Sequence, residues 1–224
     1  MSSKIKWNVI PPEIKNDEFY FSIINLIKEN DINTILEIGA SSGEGSTEAL
    51  MIGKEGKPGV RLFSVEVCTE RFVLLKDRYK HDANFFPYNV SSILLDSFPK
   101  KEEIINFFLT HSELLKVYCL DLVLNWYDSD VDYITVNNIP QDGINIIKSE
   151  HGIDTFDCVL IDSSEFTGKP ELDAVYGAKF IILDDIMAYK NFDNHNRLVN
   201  DPKYMLLKEN KRVRNGYSIF KRVD

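Results

Sequence analysis

The chain has 224 residues, 44% hydrophobic and 27% charged, which is enough apolar material for one well-buried domain and too short for a second. Its 35 Asp and Glu against 26 Lys and Arg leave a net charge of −9, which disfavours sequence-independent binding of nucleic acid and attraction to anionic membranes. With 14 Phe, 10 Tyr and 2 Trp, it is not the composition of a disordered chain.

The three cysteines, Cys68, Cys119 and Cys158, are odd in number and lack C-x-x-C spacing, so neither a disulfide framework nor a zinc site is expected and a reducing, cytoplasmic setting is. No apolar run follows the N-terminal lysines and none elsewhere is long enough to span a bilayer, so neither signal peptide nor membrane span is expected.

After Pro11-Pro12, Asn16 or Asp17 caps a helix predicted over about 17–29, with Tyr20, Ile23, Ile24 and Ile27 on one face. Thr34 to Ile38 reads as a first strand, running into the glycine-rich GASSGEGS turn and the helix-compatible STEALMIGKEG. Val60 to Val65 reads as a second strand, Thr69 to Tyr79 as its helix and Asn84 to Tyr88 as a third strand. A helical insertion of about 95–150, with KKEEIINFFLTHSELL and YCLDLVLNWY and a break at Pro140, is too apolar for a linker and offers a cap or a homo-oligomer surface. An alternative registers Asp132 to Val136 as strand three, which would move its polar contact from Asn89 to Asn137.

Phe156 to Ile161 is strand four and Ala178 to Leu183 strand five. Tyr204 to Val213 and Tyr217 to Val223 flank Asn215-Gly216, a hairpin signal. The pattern predicts a single α/β domain over 1–224: a Rossmann-like open sheet of about seven strands, mostly parallel, closed by an antiparallel hairpin.

Ligands of such sheets sit at the carboxyl ends of the strands. Glu37, Gly39, Gly43 and Gly45 form E-x-G-x-x-x-G-x-G after strand one, where glycines let backbone approach a ligand. Glu66 ends strand two and can accept both hydroxyls of a ribose. Together they describe a nucleoside site, although tight strand-to-helix packing would use the same glycines. An acid two residues before the first glycine suits the ammonium of S-adenosylmethionine better than a pyrophosphate.

TILEIGASSGEGS, VEVCTERF and the Asn-Gly hairpin resemble class I S-adenosylmethionine-dependent methyltransferases over nearly the whole chain except the insertion. The resemblance implies that Glu37 and the turn with Gly39, Ala40, Gly43, Gly45 and Ser46 hold the methionine end, that Glu66 holds the ribose, and that Asn89 and Val90 lie along the adenine. An ordinary strand cap is the other role open to Asn89. The turn also resembles that of short-chain dehydrogenases, with NAD(P) as rival ligand; their Tyr-x-x-x-Lys occurs as Tyr204 and Lys208, but in the terminal hairpin.

Strand four runs into Asp162-Ser163-Ser164-Glu165 and strand five into Asp184-Asp185, so Asp162, Asp184 and Asp185 are expected to converge beside the sulfonium. Three carboxylates in one cleft need a counter-charge, and oxygen-only donors select a hard divalent ion such as Mg²⁺; solvated strand ends are the plainer alternative. The pattern is similar to the metal-dependent macrocin O-methyltransferase and cephalosporin-hydroxylase-like group. That likeness implies O-methylation of a small hydroxylated acceptor, a sugar or glycan precursor, with Glu165 where the group places a histidine base. His195 is the other candidate base, with polar surface as its alternative, and Lys190 either guides an anionic substrate or is surface. A catalytically silent nucleoside-binding module acting through the insertion is a further reading.

Residues 203–222 hold seven basic side chains to one acid, Glu209, so this stretch carries +6 and the rest −15. A phosphorylated substrate, a partner subunit or a charge-protected sheet edge would each explain it.

Overall fold

The computed structural model describes residues 4–111 and 118–223. The part of the helix predicted within KKEEIINFFLTHSELL that falls at 112–117 lies outside the described residues.

Asp17 opens helix α1 (Glu18–Glu29), its carboxylate accepting from the Tyr20 amide at 2.8 Å. The chain continues through β1 (Thr34–Ile38), α2 (Ser46–Gly53), β2 (Arg61–Val65), α3 (Thr69–Arg78) and β3 (Phe85–Tyr88). Next come α4 (Lys101–Thr110), α5 (Leu120–Asn137), α6 (Gly143–His151), β4 (Cys158–Ile161), α7 (Gly168–Val175) and β5 (Phe180–Asp184). Helix α8 (Tyr189–Val199) and strands β6 (Tyr204–Asn210) and β7 (Tyr217–Arg222) complete it. The strands form one sheet in the order β3-β2-β1-β4-β5-β7-β6, parallel except for β7, which runs against both neighbours. This is the mostly parallel α/β sheet expected from the sequence.

Helices cover both faces of the sheet, which is why β1 and β5 are buried along their whole length instead of alternating. Ile35, Leu62, Leu160 and Ile182 pack on one face with Ile23 and Ile27 of α1 and Leu50 of α2. Leu36, Phe63, Val159 and Ile181 pack on the other with Ile144 and Ile147 of α6, Leu172 of α7 and Leu198 of α8. Among the described residues, no helix is long and apolar enough to cross a membrane.

The helical character of the stretch between β3 and β4 is as expected, but its parts differ in role. Helix α6 is an ordinary crossover helix, laid on the sheet by Ile144 and Ile147. Helices α4 and α5 build a separate small core from Ile104, Phe108 and Val123, capped by Phe166 after β4. Asp132 to Val136 is helical within α5, so the alternative third strand is not formed.

Residues from Tyr189 to Val199 form α8, which places Lys190 and His195 on one helix. The expected terminal hairpin forms, but its first strand stops at Asn210 instead of Val213: β6 and β7 are joined by residues 211–216, which fold back on the end of β5. There the Ile186 and Met187 amides donate to the carbonyls of Gly216 and Asn215 at 3.1 and 2.9 Å.

Candidate active site in an acidic cleft

The connections reverse direction between β1 and β4, and at the carboxyl ends of these strands lies a cleft of about 620 Å³. Gly39 knits its floor. Its φ is +94°, a conformation that L side chains rarely adopt, and a Cβ there would stand 2.0 Å from the carbonyl oxygen of Asp162. The Gly39 and Ala40 amides both donate to Val65 at 3.0 and 3.1 Å, so one turn ties together the ends of β1, β2 and β4. Ala40, Ser41, Ser42, Gly45 and Ser46 then line the cleft.

Two members of the expected motif do not. Gly43 faces α3, where a Cβ would meet Leu75 and Tyr79 at 2.8 and 2.9 Å, and its carbonyl accepts from the Tyr79 hydroxyl at 2.6 Å. It permits tight packing. Glu37 lies wholly buried outside the cleft lining, accepting from the Thr47 hydroxyl at 2.9 and 3.0 Å and from the Ser64 hydroxyl at 2.7 Å. Burial raises its carboxyl to about 7 against the opposing hydrogen bonds of Ser46, Ser64 and Thr47. Glu37 thus braces α2 against β2 and does not line the cleft in which a contact with a methionine ammonium was expected.

Glu66, by contrast, lines the cleft at the end of β2. Its two carboxylate oxygens accept from the Ser41 and Cys68 amides, each at 2.7 Å. Two of about four lone-pair positions are used in this way, which leaves acceptor capacity for a ligand's hydroxyls. Burial raises its pKa, with the two backbone donors and Arg71 opposing. Asn89 does not join it. Its amide donates to the carbonyls of Glu66 and Val67 at 2.8 and 3.0 Å, fastening the turn after β2, whereas Val90, Ser91 and Ser92 reach the cleft.

Asp162, Asp184 and Asp185 do converge, with oxygens within 4.8 Å of one another. The counter-charge comes from the chain. Lys190, only 8% exposed, places its ammonium 2.8 Å from Asp162 and 2.7 Å from Asp185. Arg214, from the turn between β6 and β7, donates from one terminal nitrogen to both oxygens of Asp184 at 2.7 and 2.9 Å and from the other to Asp17. Burial raises Asp162 to about 6, with Lys190 opposing it, while the Lys190 ammonium outweighs burial at Asp185 and holds that carboxyl below its usual range. The residues therefore do not fit a divalent ion as they stand, because an ammonium fills the place between two carboxylates and a guanidinium occupies the third. The Asn191 side chain, donating to the carbonyls of Ile161 and Asp184 at 3.1 and 2.7 Å, clamps β4 to β5 beneath the cluster.

Glu165 lines the cleft in the same quarter as Lys190, and burial raises its carboxyl to about 7. His195 is elsewhere. Five residues along α8 rotate a side chain by about 140° from Lys190. The His195 ring accordingly meets the Ser218 hydroxyl at 3.2 Å and Glu209 at 2.9 Å, behind β7 and β6, which removes it as a candidate base. Tyr204 and Lys208 are equally remote: the tyrosine hydroxyl donates to the carbonyl of Ala178 at 3.1 Å, and the lysine pairs with Glu18 at 3.0 Å. The dehydrogenase pair does not assemble in the cleft.

Several lining groups escaped the sequence reading. Trp126, Ser129 and Asp130 of α5 face the cleft, and Asp130, raised by burial to about 6, accepts from the Ser164 hydroxyl. The N-terminal segment crosses the mouth. Trp7 stacks on Tyr133 with ring centres 4.0 Å apart, and Arg71 donates to the Asn8 carbonyl at 3.0 and 2.9 Å.

No protein-family description and no curated protein sequence matches the chain. Its fold does match solved structures. An O-methyltransferase from Bacillus cereus in complex with SAH aligns with a TM-score of 0.63 at 12% identity, over 96% of this chain and 85% of that one. A putative O-methyltransferase from Klebsiella pneumoniae gives 0.59 at 10% identity, over 96% and 84%. The O-methyltransferase TomG from Streptomyces achromogenes, in complex with SAM, gives 0.55 at 12% identity, over 96% and 84%. The chain has the α/β Rossmann-like fold of these methyltransferases.

Proposed function

We propose that this protein is an O-methyltransferase that uses S-adenosylmethionine to methylate a hydroxyl of a small polar acceptor. The observation that carries the reading is Glu66: a buried carboxylate fixed by two backbone amides, one of them in the glycine-rich turn, with acceptor capacity left over beside the cleft. It fits the two hydroxyls of a ribose. The Gly39 to Ser42 backbone is the close-approach surface for the rest of the cofactor. When bound, the cofactor supplies an electrophilic methyl group on a sulfonium, and the net acidity of the cleft favours that cation.

The remaining chemistry falls to side chains beside Asp162. Glu165 would take the proton of the acceptor hydroxyl as its oxygen received the methyl group, and the cofactor would be released as S-adenosylhomocysteine. The raised pKa of Glu165 makes it a stronger base than an exposed glutamate, so the departure from the family histidine is met by burial. Trp126 offers a partly exposed aromatic face, and Ser129 and Asp130 offer polar groups, a combination suited to a hydroxyl-rich acceptor such as a sugar or glycan precursor. Magnesium assistance, suggested by the all-oxygen convergence, would require Lys190 and Arg214 to leave the carboxylates; the proposed reaction proceeds without that rearrangement.

Calorimetry with S-adenosylhomocysteine and with NADH tests the cofactor: binding of the former and not the latter is expected, and the reverse would make the protein a reductase. Methyl transfer to a panel of hydroxylated acceptors tests the activity, since a silent nucleoside-binding module would bind without turnover. With an acceptor in hand, the rate should rise with pH through about 7 as the Glu165 carboxyl ionises. Glu165→Gln should remove that rise and cost about 10²–10⁴ in rate. An unchanged profile would remove Glu165 as the base.

A further inference from the structure

The carboxylate cluster has the donor set of a divalent-cation site and the contents of something else. We infer that Lys190, supported by Arg214, is the chain's own resident cation: its ammonium takes the place of a metal ion and presents a hydrogen-bond donor to the acceptor oxygen. This rests on the methyltransferase reading for its substrate, but not for its electrostatics.

Three observations carry it. The Lys190 ammonium lies between Asp162 and Asp185, within 2.8 and 2.7 Å of one oxygen of each, with the side chain 8% exposed. A cation in that position repels a second one from the same oxygens. Asp184 is engaged as well, because one Arg214 nitrogen donates to both its oxygens. Lys190, together with Arg214 that Asp184 shares with Asp17, offsets much of the negative charge that would recruit a hard ion. Third, an ammonium has three N–H donors. Two are spent on Asp162 and Asp185, and Lys190 itself lines the cleft beside Glu165, so its third donor is placed for an incoming oxygen.

That donor suits the proposed reaction. As the acceptor O–H gives its proton to Glu165, negative charge grows on the oxygen, and a fixed, nearly buried ammonium stabilises it. A lysine on the first turn of α8, held by two carboxylates and laid over the Asn191 clamp, is positioned before substrate arrives. The lysine contributes one point charge in place of the two charges of a divalent ion, and orients the acceptor through one hydrogen bond in place of two coordinated oxygens.

Mn²⁺ titration followed by electron paramagnetic resonance tests this on the full-length protein without knowledge of the acceptor. The wild-type protein should leave Mn²⁺ free at millimolar concentration. Lys190→Met should bind one ion at least about tenfold more tightly, since affinity follows the unpaired carboxylate charge, and Asp162→Asn in that background should abolish the gain. Lys190→Gln, which keeps a donor but no charge, serves if the methionine variant fails to fold. Stoichiometric Mn²⁺ binding by the wild-type protein, lost in Asp162→Asn, would overturn the inference, as would a folded lysine variant with no gain. S-adenosylhomocysteine calorimetry on the same samples reports separately on the methyltransferase reading.

Discussion

Glu66→Ala is expected to weaken S-adenosylhomocysteine binding by about a hundredfold, and more than any other single change that leaves the fold intact. Two hydrogen bonds from ribose hydroxyls to a carboxylate are each worth about 1.5 kcal/mol or more, which together make about two decades of affinity. The same carboxylate also accepts from the Ser41 and Cys68 amides at 2.7 Å, so the alanine variant orphans two donors and loosens the turn itself. Glu66→Gln separates the two effects. An amide oxygen can keep one of the backbone bonds but not the full set, so an intermediate loss of binding is expected, with a smaller fall in melting temperature than in the alanine variant. Calorimetry at matched protein folding, checked by circular dichroism, reads the outcome. Wild-type affinity in Glu66→Ala would remove this residue from the cofactor site and with it the main support for a nucleoside ligand.

The sheet was legible because its information is local. Runs such as Thr34–Ile38 and Ala178–Leu183 announce strands by composition, and each lies within a few residues of the strand that forms. The cleft's position followed from topology, and Gly39, Glu66 and the three aspartates fall where their strand ends place them. What failed needed distances across the fold. Glu37 looks like a ligand because it precedes a glycine turn, yet the hydroxyls of Thr47 and Ser64, ten and 27 residues away, claim it first. Asn89 follows the expected strand, but the free carbonyls of Glu66 and Val67 lie nearer than the cleft. Lys190 and His195 share one helix, and without knowing that 189–199 is helical nothing shows that one faces the carboxylates and the other the back of the sheet. Arg214 is the furthest case: it meets Asp184 only because residues 211–216 form a longer turn than Asn-Gly predicts.

The charge distribution follows the same division. The basic C-terminal stretch does not form one patch. Lys208 answers Glu18, Lys211 answers Glu209 within the stretch, and Arg214 turns inward to Asp17 and Asp184, so two of the six excess charges meet acids from outside it. Exposed pairs of this kind contribute little to stability. Arg214 is the exception by position, since it bridges the cap of α1 to the end of β5 and so ties the turn of the terminal hairpin to Asp184 at the cleft.

Gly39→Ala is expected to destabilise the fold by about 4 kcal/mol or more, the range reserved for changes that the structure cannot absorb. The added Cβ would sit 2.0 Å from the carbonyl oxygen of Asp162 and 2.6 Å from its carbon, which are backbone atoms held in the β4 ladder, not the end of a movable side chain. The positive φ of +94° adds its own cost of about 1–2 kcal/mol. Gly56→Ala isolates that second cost. Its φ is also positive, at +78°, but nothing lies within 4 Å of the added atom. Urea unfolding of the two variants should therefore differ by the clash alone, with Gly56→Ala losing about 1 kcal/mol and Gly39→Ala failing to accumulate as a folded protein or unfolding at far lower denaturant. Any Gly39→Ala that does fold must push the glycine turn away from β4, separating Ser41 and Glu66 on one wall from Asp162 and Lys190 on the other. Cofactor affinity and the Asp162–Lys190 pair would then fall together. A folded Gly39→Ala variant with wild-type stability would show that β1 and β4 do not meet at this contact.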